Sequence, residues 1–206
     1  MIIDPTKQTQ RENYKLMIGS ILPRPIAFVA TISASGRLNL APFSFFTGIT
    51  SQPPTICFAP SRRAEDGGKK DTLRNIEETG EFVVNVVTEA IATQMNETAT
   101  EFPPEVDEFT ASGLTPIPSQ IVRPPRVKES PINMECKLYR TIDIGPEAAG
   151  GGTLVIGEII LFHIADELYH EGRIDTERLR PLGRLAGSDY TTLGKRISME
   201  RKKYQP

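Results

Sequence analysis

PIAFVATIS, at residues 25–33, is a run of apolar and β-branched side chains that predicts a buried β-strand. Four further runs have the same character: TICFA at 55–59, FVVNVV at 82–87, MECKLYRTIDI at 134–144 and TLVIGEIILFHIA at 153–165. Between the first two lies LNLAPFSFFTGITS at 38–51, where Pro42 favours a bent or edge segment. Gly157 interrupts the longest run and predicts a bend or a bulge. The sequence therefore predicts about six strands.

Few helices are expected, and all of them are short. One is predicted to begin at Asp71 or Thr72, either of which can serve as its N-cap, and to end at Gly80. Two more are predicted at 88–96 and near 176–179. Because the strands do not alternate with long helices, the pattern favours a mainly β fold over a doubly wound sheet. A small antiparallel barrel with peripheral short helices fits best.

The rest of the chain predicts one domain over residues 1–206. Residues 101–131 contain seven prolines and little periodicity, which indicates a long loop packed over the core or over a partner. From about residue 166 the chain becomes polar, and we interpret this part as a C-terminal extension. Its basic end, from Lys195 to Lys203, is interpreted as a solvated surface rather than a nucleic-acid site.

Composition excludes several classes of protein. Lys plus Arg number 24 and Asp plus Glu 26, so the net charge of −2 argues against a generally basic nucleic-acid binder. No apolar run reaches the length of a membrane span, and the first residues lack the apolar stretch of a signal peptide. Cys57 and Cys136 lie within apolar runs, which favours buried thiols in a reducing cytoplasm over a disulfide.

The usual catalytic motifs are missing from the sequence. Gly68-Lys69-Lys70 fails the final position of a phosphate-binding GK[ST] loop, and no metal-binding HExxH is present. His163 lies in an apolar strand, where a core or interface position is the simpler interpretation. Ser44 has no histidine or acid nearby in sequence that would suggest a hydrolase triad. We therefore assign no catalytic residue and no metal ligand, and we expect a cofactor to carry the reaction.

Two segments have the chemistry to bind such a cofactor. Asn39 and Ser44 offer hydrogen bonds beside the aromatic residues at 43–46, a combination that suits a flat heteroaromatic ring, although a core strand rich in aromatics would look the same. Lys70 precedes the predicted helix at residue 71, and helix N-termini bind phosphate. The alternative is an ordinary capped helix beside a solvated basic loop, and we expect the Asp71 carboxylate to serve the cap rather than the phosphate.

Taken in order, these segments resemble the flavin reductase-like family. The match runs through RPIAFVATIS, GRLNLAPFSFF, QPPTICFAPSRR, KKDTLRNIEETGEFVVNVV and TLVIGEI, over about residues 15–165. LGRLAGSDY at 182–190 resembles the longer, flavoredoxin-like branch. The resemblance implies a homodimeric, six-stranded antiparallel split β-barrel of Greek-key topology that binds FMN near the subunit interface.

The resemblance also implies which residues contact FMN. Those carried over to the ribityl chain and isoalloxazine ring are Thr31, Asn39, Pro42, Phe43, Ser44 and Phe45. Those carried over to the phosphate end are Ser61, Arg62, Lys70, Asp71 and Thr72. Tyr190 is a further candidate, either over the open face of the ring or near the phosphate.

One departure from the family pattern bears on activity. Short flavin reductases carry a histidine just before the strand that matches TLVIGEI, and Gly152 stands there in this chain. The family implies an FMN-binding oxidoreductase that uses NADH, NADPH or a protein donor. The missing histidine leans the resemblance towards the flavoredoxin-like branch, in which FMN stays bound and passes electrons to a partner. The alternatives are a non-enzymatic, flavoredoxin-like FMN electron carrier with a redox partner protein, and a split barrel that holds haem or a pyridoxal-type phosphate.

Overall fold

The computed structural model describes residues 1–103, 105–202 and 204. The parts of the loop and tail predictions that fall on Pro104 and Lys203 lie outside the described residues. The helices are α1 Gln10–Ser20, α2 Asp71–Thr79, α3 Ala92–Glu97, α4 Glu108–Ser112 and α5 Thr176–Leu179. The strands of the main sheet are β1 Ala27–Ile32, β2 Leu38–Phe43, β3 Phe46–Ser51, β4 Pro54–Phe58, β5 Glu81–Val86, β8 Ile132–Ile144 and β9 Gly152–Ile164. Three short ribbons pair β6 Pro116–Ile117 with β7 Arg126–Val127, β10 Tyr169–His170 with β11 Arg173–Ile174, and β12 Gly183–Arg184 with β13 Tyr190–Thr191.

The main sheet is antiparallel throughout, in the order β2-β1-β5-β8-β9-β4-β3. Its two edge strands, β2 and β3, are joined by only Ser44 and Phe45, so the sheet curls until its edges meet along an unpaired seam. The mainly β split barrel with short helices is therefore confirmed. In the part of the chain that the structure describes, it has seven strands rather than six because residues 38–51 break at Ser44 into two strands. Pro42 lies in an edge strand as predicted.

β1 is buried on both faces, which explains its unbroken apolar sequence. Val29 faces a cluster that includes Phe82, and Phe28 faces a second cluster that includes Phe109. Each of these four side chains has essentially no exposed area. The barrel thus has one apolar layer beneath α2 and another beneath α3 and α4, and β1 separates them.

The long hairpin of β8 and β9 has two irregularities in register. One follows the pair Leu138–Gly157, where Tyr139 is the extra residue on β8, so the predicted irregularity near Gly157 is present. Gly157 itself is needed for packing, because a Cβ there would lie 2.2 Å from Cζ of Phe82. The glycine lets the aromatic ring lie directly against the strand.

α2 begins and ends where the sequence predicts, but its N-terminus differs from the prediction. Gly80 is the left-handed C-cap, with φ of 72°. The N-cap residue is Lys70, and no side chain among the described residues caps the helix. The expectation that Asp71 or Thr72 would cap it is wrong, because the Asp71 carboxylate accepts from Arg74 and the Thr72 hydroxyl accepts from Asn39.

The proline-rich segment at 101–131 packs over the core, as one of the two predictions for it stated. It contains α4 and the β6–β7 ribbon, and its side chains Phe109, Leu114, Val122 and Val127 are buried in the layer beneath α3 and α4. The segment is therefore long because it packs over the core of this chain.

The remaining predictions concern the thiols, metal ligands and membrane spans. Cys57 and Cys136 are both free thiols, and burial raises the pKa of Cys136 well above its usual range. Among the described residues, no group of three or more His, Cys, Asp and Glu side chains is arranged to hold a metal ion. In the same part of the chain, no helix combines the length and the apolar character that a membrane crossing requires.

Candidate functional site

Two clefts lie side by side at the N-terminal end of α2, and Lys70 and Glu101 line both. The smaller has a volume of about 180 Å³ and lies between β2, α2 and the start of the proline-rich segment. The larger, of about 830 Å³, lies between α1, the residues after β4 and the turn that leads into β9. The larger volume is within the usual range for a small-molecule site.

The structure gathers most of the predicted residues around these clefts. Those that line the smaller cleft are Asn39, Pro42, Phe43, Asp71 and Thr72. Those that line the larger are Phe45, Ser61 and Arg62. Lys70 lines both, whereas Thr31 and Ser44 line neither.

Thr31 and Ser44 support the walls from behind. Thr31 is fully buried, and its hydroxyl accepts a hydrogen bond of 3.0 Å from Nδ2 of Asn75 on α2. The Ser44 hydroxyl accepts a hydrogen bond of 3.3 Å from Nε of Arg24. Both residues therefore help to position the backbone that carries the walls of the clefts.

The N-terminus of α2 borders the smaller cleft, which Lys70, Asp71 and Thr72 line. The Lys70 carbonyl accepts from the N–H groups of Leu73 and Arg74, which leaves the N–H groups of Asp71 and Thr72 without a helical acceptor. Among the described residues, the Lys70 ammonium group makes no hydrogen bond or ion pair. The positive end of the helix dipole and this lysine together attract an anion.

Arg62 is a buried cation with one hydrogen-bond donor that has no partner among the described residues. Its side chain is 8% exposed, and its Nη2 lies 3.4 Å from Oδ1 of Asp143. Its Nε is buried and has no hydrogen-bond partner among the described residues. Leaving such a donor unpaired is costly, and Arg62 lines the larger cleft, so its incomplete contacts indicate a site that a ligand completes.

The residues after β4 pair with the residues that lead into β9. Ser61 forms a β-bridge with Gly152, and the N–H of Arg62 donates to the Gly151 carbonyl over 2.9 Å. Gly152 lines the larger cleft, and a Cβ there would lie 3.2 Å from the Pro60 carbonyl oxygen. A histidine at this position would therefore require the neighbouring backbone to shift.

Sequence reasoning missed two walls of the site. α1 contributes Tyr14 to the larger cleft, and the signal that could have predicted this helix is the capping box formed by Thr9 and Glu12. α4 contributes Glu108 to the smaller cleft. Glu108 accepts from the N–H of Leu40, and burial raises the pKa of its carboxyl group.

Tyr190 lies outside both clefts. Its hydroxyl is 3.0 Å from Oδ1 of Asn96, and the Arg184 guanidinium carbon lies 4.4 Å from the centre of its ring. In this structure Tyr190 links the C-terminal segment to α3, and it lines neither cleft.

Comparison with known proteins identifies the family. Residues 18–178 match the family described as "Flavin reductase like domain". Nitrilotriacetate monooxygenase component B from Bacillus cereus is 44% identical, with 97% of this chain and 98% of that chain covered and a TM-score of 0.92. The 2-nitrobenzoate 2-nitroreductase of Pseudomonas fluorescens is 34% identical, with 100% and 98% covered and a TM-score of 0.88. Flavoredoxin of Desulfovibrio vulgaris (Miyazaki F) is 26% identical, with 87% and 91% covered and a TM-score of 0.73. This chain therefore belongs to the flavin reductase-like family.

Proposed function

We propose that the chain is an FMN-binding oxidoreductase that transfers electrons or hydride between flavin and NADH, NADPH or a protein donor. The observation that carries the proposal is the Nε of Arg62, which has no partner among the described residues, in a side chain that lines the larger cleft together with Lys70, the N-cap of α2. These are the features that an anionic phosphate group satisfies. The residues present therefore fit the phosphate end of FMN.

The roles of the residues follow from their contacts. Arg62, Lys70 and the first N–H groups of α2 would hold the phosphate, and Ser61 would add a hydroxyl. Phe43 and Phe45 give the clefts apolar walls, and Asn39 steadies Thr72 through a hydrogen bond of 2.9 Å. When bound, FMN would supply the redox chemistry by accepting and donating a hydride or electrons. The protein then needs no acid or base of its own for electron transfer.

The related proteins support a redox role and leave two forms of it open. The Bacillus protein is named as a monooxygenase component and the Pseudomonas protein as a nitroreductase, which favours an enzyme, and in our proposal its reductant is NADH or NADPH. The alternative, a non-enzymatic carrier that keeps FMN and passes electrons to a partner protein, is favoured by the flavoredoxin match and by Gly152, where a histidine would be crowded. We place either form in the cytoplasm, because both cysteines are free thiols.

We also propose that the chain is a homodimer. Tyr139, Ile142 and Ile144 expose apolar side chains along the outer half of β8, and Ile49 does so on the edge strand β3. Clusters of exposed apolar groups are typical of protein interfaces. Sedimentation equilibrium of the full chain tests this proposal, and a monomer at all concentrations would contradict it.

The first experiment is an absorption spectrum of the purified protein, followed by calorimetric titration with FMN and with riboflavin. A flavin spectrum, or FMN binding that is tighter than riboflavin binding, supports the proposal. Anaerobic addition of NADH or NADPH then separates its two forms, because an enzyme's flavin band bleaches and a pure carrier's does not. Colourless protein that binds no added FMN would contradict both forms and leave haem or pyridoxal phosphate as ligands to test.

Lys70→Ala is expected to weaken FMN binding by about 10- to 100-fold, because a charge-assisted contact contributes roughly 1.5–3 kcal/mol. Riboflavin, which lacks the phosphate, should bind the variant and the parent equally. Lys69→Ala is the matched control, since Lys69 is the preceding residue and its ammonium group is paired with Glu77 at 2.7 Å. Equal FMN affinity in the two variants would remove Lys70 from the phosphate site.

A further inference from the structure

Arg24 is a buried cation outside both clefts, and it makes contact with three separate parts of the chain. It is 4% exposed. Its Nη1 donates to the carbonyl oxygens of Ile18 and Ile21, at 2.8 and 3.0 Å. Its Nη2 donates to the Leu185 carbonyl at 2.9 Å, and its Nε donates to the Ser44 hydroxyl at 3.3 Å. Among the described residues, no carboxylate forms an ion pair with it.

Two of these three parts form a wall of the larger cleft. Ile18 and Ile21 belong to the C-terminal end of α1, which presents Tyr14 and Met17 to that cleft. Ser44 precedes Phe45, whose ring lies 6.0 Å from the Arg24 guanidinium carbon and 6.5 Å from the Tyr14 ring. Arg24 therefore lies behind the wall where α1 meets the link between β2 and β3.

The third part is the C-terminal extension. Besides the bond to Leu185, the backbone of Arg24 pairs with that of Arg184 through bonds of 2.8 and 3.0 Å. This segment, at 183–191, is held in turn by the contact of Tyr190 with Asn96. One guanidinium group thus links the extension to the α1 and Phe45 wall.

Arginine suits this task in a way that other residues do not. Its planar group presents five donors in fixed directions, so it can serve several carbonyl oxygens at once. The last carbonyls of a helix are the negative end of its dipole, and they favour a cation there. A lysine would keep the charge but could not reach α1, Ser44 and Leu185 together.

We propose that Arg24 is a positioning residue of the flavin cleft, which fixes α1 and Phe45 in place and makes the shape of the cleft depend on the C-terminal segment 183–191. The inference rests on the proposed function, in that it takes the larger cleft as part of the flavin site. It assigns Arg24 no contact with the cofactor. Its effect is transmitted through Ser44, Phe45 and Tyr14.

The test exploits the absence of tryptophan from the sequence. Tyr14→Trp places a single fluorescent reporter on α1 at the cleft. Because Tyr14 is already 46% exposed, Arg24→Met in this background should raise the acrylamide quenching constant by less than twofold, and it should shift the emission to longer wavelength. With Tyr14 intact, Arg24→Met should raise the FMN dissociation constant at least tenfold, and Arg24→Lys should recover only part of that loss.

The control is Glu135→Gln, which alters a buried charge that lines neither cleft. It should leave quenching and FMN affinity unchanged, even where it lowers thermal stability as much as Arg24→Met does. If Arg24→Met does not fold, Ser44→Ala takes its place, since it removes only the link to the β2–β3 connection, and a threefold weaker FMN affinity is expected.

The outcomes separate this inference from the proposed function. If the parent chain binds no FMN, the proposed function fails, and the tryptophan reporter still shows whether Arg24 holds α1. If the parent binds FMN and the Arg24 variants match it in both quenching and affinity, the positioning role is overturned. Full recovery of both readouts by Arg24→Lys would also overturn it, because the charge alone would then suffice.

Discussion

Glu135 and Arg62 are both buried charges, but their surroundings differ in one respect. Glu135 has no exposed area, and its carboxylate accepts from the N–H groups of Gln120, Ile121 and Val122 at 2.7, 2.7 and 3.0 Å. Its Oε1 also lies 2.6 Å from Nε2 of His163. Arg62 has a single ion pair of 3.4 Å and an Nε without a partner among the described residues. We therefore interpret Glu135, whose contacts are complete, as a charge that stabilises the fold. We interpret Arg62, whose contacts are incomplete, as a charge that binds a ligand.

The largest effect on stability is expected from removing Glu135, the charge whose contacts are complete. Glu135→Ala leaves three backbone N–H groups and His163 without their acceptor, and breaking such a buried charged site costs about 3–5 kcal/mol of unfolding free energy. Urea denaturation of the apoprotein measures this cost. Well below its melting temperature, the variant should bind FMN like the parent.

Glu129→Ala is the matched control for that measurement. Glu129 also accepts a loop N–H, from Thr115 at 3.1 Å, but its contacts are at the surface and involve one residue only. Its loss should cost less than about 1 kcal/mol. If the two variants are equally stable, the hydrogen bonds of Glu135 contribute less to the unfolding free energy than we expect.

Low pH should reduce the contribution of Glu135 to the stability of the fold, and it should do so in a defined pH range. Burial on its own would raise the pKa of Glu135, but the hydrogen bonds from Gln120, His163, Val122 and Ile121 outweigh it and lower the pKa from 4.5 to about 2. A lowered pKa stabilises the folded state above pH 4.5, and this stabilisation is lost as the pH falls towards 2. The stability difference between the parent and Glu135→Gln should therefore shrink across that range. A difference that stays constant with pH would contradict the assignment.

The same contrast explains what the sequence could predict. β1 was predictable because burial on both faces leaves an unbroken apolar run, and Gly80 because a helix end favours glycine. The grouping of Lys70 with Thr72 was predictable because both belong to one helix end. These features depend on residues that are close in sequence.

The unpredicted features depend on residues that are distant in sequence. Thr31 is held by Asn75, 44 residues away, and Ser44 by Arg24, 20 residues away. Arg62 meets Asp143 across 81 residues, and its unmatched Nε is defined only once the whole wall is assembled. Sequence patterns can nominate a cation for a phosphate site, but only the folded structure shows that one of its donors has no partner.

Removing the Arg62 guanidinium should weaken ligand binding but should not reduce the stability of the fold. Arg62→Gln removes a charge-assisted contact, so FMN binding should weaken by about 10- to 100-fold, or roughly 1.5–3 kcal/mol. Riboflavin binding should be unchanged. The unfolding free energy of the apoprotein should stay the same or rise, because a buried and incompletely paired cation is removed. Calorimetry and urea denaturation give the two quantities.

Arg178→Gln is the control for that variant, because Arg178 is an exposed arginine paired with Asp175 and lines neither cleft. It should change neither quantity. If Arg62→Gln destabilises the apoprotein by several kcal/mol and leaves FMN binding intact, Arg62 belongs with Glu135 among the structural charges, and the contrast between the two sites is lost.

The smallest effect is expected at Asp143, which faces Arg62 from β8. Its carboxylate is 56% exposed and accepts from the Thr153 hydroxyl, whose hydrogen bond lowers its pKa. Asp143→Asn keeps an oxygen for both neighbours but removes a negative charge that competes with phosphate for Arg62. FMN binding should therefore tighten by less than about fivefold, since a half-exposed ion pair is worth about 0–1 kcal/mol. The gain should shrink as salt is added, because exposed charges are screened. Weaker binding in this variant would instead mean that the charge of Asp143 is needed to orient Arg62, and the Arg62 site would then be partly completed by the protein itself.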